Sequence, residues 1–397
     1  MESVFLFQND LRLVDNHAWN KMSKTKTTHP IVIIDESKFP NQRVFEFYLQ
    51  SVNDLDKQLD GKLSIYFGNE LAVLKNFRDT TLFFNKNPCV EKDFYNPLYN
   101  LCKKQNIKVV ASISSHSLLN FEELARPYKV FGNFYKTFEF DTFNVVHNQS
   151  ILVTCNLLRK DRKWFEYMAN KQEDSGRSAA LKILASIGKF DKYGDTRNII
   201  HKPTTRFSAY LNCGCISVRE VWLAAKRRKN TALVQQLFWR EFYMQLVFWF
   251  PDLLKGRAFY PQRDMSWSND PEAIRRWKEG KTGYPLVDAS MRCLKQTGFL
   301  HNRCRMVVAS FLVKDLNVDW RIGEAYFKTQ LVDFFFPSNN GGWQFISGTG
   351  ASAMMQSRKF NPFLQSKKYD PDAVFIKTYL PELRNVPASE IHHLKMS

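Results

Sequence analysis

The sequence has no apolar run long enough to cross a bilayer. Its longest aromatic-rich stretch, Leu246 to Phe250, ends at Pro251 and Asp252, well short of the roughly 20 residues that a spanning helix needs. The opening apolar run is equally brief: Gln8, Asn9, Asp10 and Arg12 interrupt it, so it does not read as a secretory leader. Acidic residues are scarce, 39 against 57 Lys and Arg, which leaves a formal net charge of +18. That imbalance favours a polyanionic partner, through attraction of phosphate and release of counterions, although a basic surface also serves solubility alone. Cysteine is sparse too, seven residues without regular spacing, which argues against a disulfide framework and suits a reducing compartment. Cys213 and Cys215 form a lone C-x-C, read as small buried residues, and no metal site is expected. Internal repeats and low-complexity tails are absent. These lacks together predict a soluble, intracellular protein, in cytoplasm or nucleus.

What remains is rich in aromatics, 15% of the chain, with 34 Phe and 9 Trp. A chain of 397 residues is long enough for two domains. The first third alternates strand-like runs with helical patterns. The runs are Val4–Phe7, Ile31–Ile34, Leu63–Phe67, Thr81–Phe84 and Ile107–Val110, and segments such as Arg43 to Leu59 lie between them. Strand and helix in repetition predict an α/β domain with a parallel, Rossmann-like sheet over residues 1–126. A less regular stretch, 127–192, reads as the connection. From 193 to 397 the helical period dominates, so an all-α domain is expected there. The run Lys226-Arg227-Arg228-Lys229 reads as a solvated helix face, ahead of a nuclear signal.

One helical pattern carries an uncommon mixture. Gln236, Trp239, Arg240 and Tyr243 fall at i, i+3, i+4 and i+7, which puts an amide, an indole, a guanidinium and a phenol on one face. A core face has no need of Gln and Arg, and a solvated face has no need of Trp and Tyr. Such a stripe suits stacking on a base while hydrogen-bonding its edge.

Several strings occur together in the second half: TTRFSAYL (Thr204–Leu211), WREFY (Trp239–Tyr243), GKTGYPLVDASMR (Gly280–Arg292), HNRCRM (His301–Met306), DWR (Asp319–Arg321) and NNGGW (Asn339–Trp343). With the opening VFLFQNDLRLVDN and the segment RPYKVFGNFYK (Arg126–Lys136), they resemble the photolyase/cryptochrome family over nearly the whole chain. The motifs are nearest to those of class I photolyases acting on cyclobutane pyrimidine dimers. The resemblance implies a helical domain holding FAD, reduced in its active state, and UV-damaged DNA as the partner of a monomer. A second, light-harvesting chromophore, a folate or a deazaflavin, is open.

Site residues follow from the same resemblance. Tyr193, Thr204, Thr205, Arg206, Phe207 and Ser208 would hold FAD, with Arg240, an Arg305–Asp333 ion pair and Asn339, which matches the amide facing flavin N5. A helix start suits a pyrophosphate, although one Ser or Thr there also serves as a plain N-cap. Asn302 and Met306, with Gln236 and Trp239, would form the catalytic lesion pocket. Trp267, Trp320 and Trp343 match the family's electron-transfer chain. Arg197, Gln236, Trp239, Arg240, Tyr243, Asn302, Arg303, Phe345, Arg358 and Gln365 would contact DNA.

Two positions depart from the family pattern. Asp333-Phe334-Phe335 replaces D-x-D, removing a carboxylate near the flavin. Gln236 replaces the Glu usual in cyclobutane-dimer enzymes and matches the (6-4) photolyases instead. Those enzymes need a catalytic His where this chain has Asn302, and (6-4) repair requires a proton donor. The expectation is therefore cyclobutane-dimer repair, with (6-4) repair as one alternative and a cryptochrome-type light sensor as another. Against the sensor, the sequence ends at Ser397, soon after its LPEL block, without a long tail.

Overall fold

The computed structural model describes residues 2–22, 28–113, 115–146, 153, 158–168, 175–352 and 359–396. The chain forms two compact units. One comprises Met1–Pro127, Glu139–Asp191 and Thr205–Pro251; the other comprises Tyr128–Phe138, Lys192–Thr204 and Asp252–Ser397.

In the first unit all five strand-like runs are strands of one parallel sheet: β1 (Ser3–Phe7), β2 (Thr28–Ile34), β3 (Ser64–Phe67), β4 (Thr81–Asn85) and β5 (Lys108–Ser112). Their order is β3-β2-β1-β4-β5. β1 is central and buried throughout, and its Ser3 is in register with Thr28 on one side and Thr81 on the other. The intervening helices are built by ordinary means. Helix Gln42–Gln58, for instance, is capped by the Asn41 side chain, which accepts from the Val44 N–H, and it buries Phe45, Leu49, Val52 and Leu55. That spacing is one face of a 3.6-residue period.

Strand order reverses between β1 and β4, the switch point of a doubly wound sheet. The DLRLVDN residues gather there. Asn85 Nδ2 donates to Asp10 Oδ2 (2.5 Å) and Asn16 Oδ1 (2.6 Å), and Ser115 Oγ donates to Asn85 Oδ1 (2.7 Å). The wholly buried Arg12 donates to the carbonyls of Asp15, Ser115 and Gly214. Buried polar groups of this kind persist because their partners are present. The opening motif thus works as an internal lock. The stretch read as a connection contains helices Phe131–Phe138, Arg162–Met168 and Gly176–Ala185.

The second unit is helical, as the sequence period predicts. Its core gathers Trp277, Trp320, Trp343, Leu312 and Phe327. Proline opens several of its helices, including Pro271–Glu279, Pro285–Thr297 and Pro362–Tyr369, the first-turn position where its missing N–H costs nothing. Helix Phe336–Ser347 ends at Gly348, whose φ of +90° favours a residue without a Cβ. Gly323 serves a different purpose. A Cβ there would lie 2.1 Å from Trp343 Cη2, so the bare backbone is what admits the indole. Helix Asn302–Ser310 runs into a π-helical turn, Phe311–Asp315.

Candidate functional site

In the first unit the mixed stripe lies on helix Thr231–Trp249, whose start is capped by Asn230. The helix buries Leu233, Leu237, Phe238, Phe242 and Met244, while Gln236, Trp239, Arg240 and Tyr243 are only partly covered. The structure therefore brings these four together along one strip, as their spacing requires. The Trp239 and Tyr243 rings lie 5.6 Å apart at 33°, and Gln236 Nε2 reaches back to the Ala232 carbonyl (3.4 Å). Burial pushes the Tyr243 phenol up, so it stays neutral. Arg240 turns partly inward: its Nη1 donates to the His116 carbonyl (2.9 Å) and to Glu241 Oε1 (3.1 Å).

Glu241 lies inside the WREFY string without being singled out by it, yet it anchors this strip. Its Oε2 accepts the N–H groups of Leu118 (2.8 Å) and Leu119 (3.4 Å). Burial pushes its carboxyl up to about 7, against the pull of Arg240 and those two amides.

The N-cap position of the helix after TTRFS falls to Arg206, not to a hydroxyl residue. Helix Phe207–Cys213 starts from Arg206, held at φ +52° without a side-chain cap bond. A non-glycine residue in the left-handed region is uncommon and stores strain. None of Thr204, Thr205 and Ser208 is itself the N-cap residue.

The second unit carries the other expected residues. Asn302 opens its helix exposed, with Nδ2 3.7 Å from Met306 Sδ one turn on. His301 caps that helix: its Nδ1 accepts the Arg303 N–H (3.1 Å), and burial with two neighbouring arginines pushes the imidazole down to about 4. Arg303 meets Gln365 Oε1 (3.5 Å) and Asn198 Oδ1 (2.7 Å), and its guanidinium lies 4.4 Å from the Tyr369 ring centroid. Burial, together with nearby Arg197, lowers its pKa. Arg197 itself ends the short helix Tyr193–Thr196, and burial raises the Tyr193 phenol. Phe345 is 36% exposed, enough to meet a ligand. Arg358 lies outside the described residues.

The Arg305–Asp333 pair forms as expected, with Nη2 2.9 Å from both carboxylate oxygens. Asn339 donates through Nδ2 to the Glu324 carbonyl (3.2 Å). Beside it runs a relay without a sequence signal: Gln344 Nε2 donates to Asn340 Oδ1 (2.8 Å), and Asn340 Nδ2 donates to Glu324 Oε1 (3.0 Å). Burial pushes Glu324 up to about 7. Trp320 and Trp343 are buried in one core, with Trp267 packed against it.

This set fits a flavin. Because the Asn339 NH2 is committed to Glu324, the amide oxygen remains as an acceptor for a ring N–H. The ion pair Arg305–Asp333 supplies a fixed dipole.

Comparison with known proteins agrees. Residues 3–148 match the family described as DNA photolyase, and residues 233–397 match the FAD binding domain of DNA photolyase. A deoxyribodipyrimidine photo-lyase of Halobacterium salinarum is 41% identical over 234 residues, 55% of this chain and 49% of that protein. In that alignment the chain spans about half the length of its relative. One from Buchnera aphidicola subsp. Acyrthosiphon pisum is 30% identical over 435 residues, covering 98% of this chain and 90% of that one. The chain belongs to the DNA photolyase family. An archaeal photolyase of Sulfolobus tokodaii, solved with two FAD molecules, shares the fold at a TM-score of 0.88 and 31% identity, over 99% of this chain and 93% of that one. Among the described residues no helix is long and apolar enough to cross a membrane.

Proposed function

We propose that this family member repairs cyclobutane pyrimidine dimers in UV-damaged DNA in a light-driven reaction, acting as a monomer. When bound, reduced FAD supplies the photoexcited electron that opens the dimer. The chain's own residues then have distinct tasks. Base flipping is a property of photolyases as a family, extended here to this chain. Trp239 and Tyr243 stack on the flipped bases, and the Gln236 amide bonds a base edge. Asn302 donates to a pyrimidine carbonyl, while Met306 gives its face a polarisable contact. Arg197, Arg303 and Gln365 hold phosphates at the mouth. Thr204, Thr205 and Ser208, with Arg206, Phe207 and Tyr193, cradle FAD, and Asn339 accepts from its ring.

The observation that supports the cyclobutane dimer over the (6-4) lesion is the state of His301. Repair of a (6-4) photoproduct needs an acid, and Asn302 is not one. The adjacent His301 cannot take its place. Its Nδ1 is committed to a backbone N–H, its pKa is pushed down to about 4, and it is 7% exposed. At neutral pH its imidazole is uncharged and does not act as the acid. Cyclobutane cleavage needs none.

The test is a light-versus-dark assay of the FAD-loaded protein on DNA carrying each lesion separately. Light-dependent loss of the cyclobutane dimer alone is expected. Repair of only the (6-4) lesion would overturn the assignment, and repair of neither would favour a light sensor. An absorption spectrum of the same sample answers whether a folate, a deazaflavin or a second FAD is also held.

A further inference from the structure

We propose that Trp277 is a second electron donor to oxidised Trp343, a side branch beside the path through Trp320 and Trp267. The inference rests on the reading of Trp267, Trp320 and Trp343 as the family's electron-transfer chain, with Trp343 taken as the member that photoexcited oxidised FAD oxidises.

The geometry is a fork. Among the described residues the Trp343 ring touches two others: Trp277 at 6.2 Å between centroids and 72°, and Phe327 at 5.1 Å and 78°. Both fall within the range of rings in van der Waals contact, where electron tunnelling is efficient. A benzene ring is far harder to oxidise than an indole, so of these two only Trp277 can give up an electron. Trp277 also stacks on Phe327 (6.4 Å, 13°) and is fully buried.

Its hydrogen bond decides what the oxidised ring can do. Trp277 Nε1 donates to the Val308 carbonyl (3.0 Å). The negative end of that dipole favours an indole cation, and in a dry core its effect is little screened. A carbonyl is not a base, however, so the N–H proton stays. One electron passes from Trp277 to Trp343, no bond breaks, and the positive charge rests on a protonated Trp277.

The branch stops there. Tyr326 lies 5.5 Å further on, but oxidising a phenol at neutral pH requires losing its proton. The Tyr326 hydroxyl donates to the Lys278 carbonyl (3.2 Å), which cannot keep a proton, and the Lys278 ammonium 5.5 Å from the ring opposes a positive charge. Trp277 is thus a holding site: it delays the return of charge without leading it to solvent.

The experiment is transient absorption on FAD-loaded, oxidised protein, following the indole cation. In Trp320→Phe the main exit is closed. Charge recombination there is expected to be slower than in the double variant Trp277→Phe/Trp320→Phe by roughly tenfold, the change a holding site about 1.4 kcal/mol below Trp343 gives. Equal lifetimes overturn the branch alone. Absence of any indole cation in the unsubstituted chain overturns the tryptophan path as a whole, and the branch with it. Because Trp277→Phe and Trp320→Phe shrink two indoles packed in one core, the double variant is liable to misfold. Light-induced nuclear polarisation of the unsubstituted chain, carrying isotope-labelled tryptophan, then reads the same point. A polarised Trp277 resonance is expected; polarisation of Trp343, Trp320 and Trp267 without Trp277 overturns the proposal.

Discussion

Trp239 and three tryptophans of the second unit stand in opposite surroundings, which match the opposite uses proposed for them. Trp239, in the first unit, sits on a half-covered strip beside Gln236, Arg240 and Tyr243. Trp277, Trp320 and Trp343, in the second, are 0–2% exposed and packed among Leu312, Phe327 and Val308. An indole that must stack on a ligand needs an open face. One that passes electrons needs close aromatic neighbours. Burial separates Trp239 from these three, while the half-covered Trp267, proposed for the same path, packs against the core that holds them. Trp239 is flanked by polar residues at i−3 and i+1, whereas Trp343 is admitted by a glycine on another helix.

The largest effect should come from closing that entry. Gly323→Ala would place a Cβ 2.1 Å from Trp343 Cη2, 2.4 Å from Cζ3 and 2.7 Å from Leu312 Cδ2. None of these atoms ends a long flexible chain. The variant should lose about 3 kcal/mol of stability, at the upper end of overpacking costs, read as a lower denaturant midpoint. A midpoint close to that of the parent would show that the core yields, and that Trp343 is not rigidly held.

On the open side, Trp239→Ala should change binding more than folding. Base-on-aromatic stacking contributes about 1–3 kcal/mol, so affinity for dimer-containing DNA should fall about tenfold to a hundredfold. Undamaged DNA, held through phosphates, should be affected less. Titration of both DNAs checks this. An equal loss on each would remove Trp239 from the lesion pocket.

Much of this contrast is legible in the sequence, and the remainder has identifiable causes. Five β-branched runs gave five strands, since alternation with helices is a local signal. Their order did not follow, because pairing Ser3 with both Thr28 and Thr81 is a long-range event. The strip around Trp239 was legible because four residues on one helix report their shared face through spacing. Arg240 was legible only in part, since its turn toward the His116 carbonyl depends on a distant loop. Trp277, set between Arg276 and Lys278, looks like a surface residue until the packing of three other helices buries it. Glu324 is concealed in the same way.

Glu241 and Glu324 extend the comparison to charge. Burial pushes both up to about 7, but their support differs. Glu241 accepts from two backbone amides and Arg240, whereas the Glu324 carboxyl accepts from Asn340 alone among the described residues. Each carboxyl titrates near 4.3 when unfolded, so between about pH 4.3 and about pH 7 the native state holds more protons. Stability must therefore fall as pH rises through that window, and level off above it. Glu324→Gln keeps an oxygen for Asn340 and removes the titration. Its stability should decline less between about pH 5 and about pH 8, by about 1 kcal/mol, because Glu324 is only partly shielded from water. Denaturant unfolding at the two pH values measures the difference. The same substitution at Glu241 would leave an amide NH2 facing either backbone donors or Arg240, so it should destabilise at every pH. A pH dependence unchanged by Glu324→Gln would assign the slope to Glu241, and would show that Glu324 is already solvated beside Asn339.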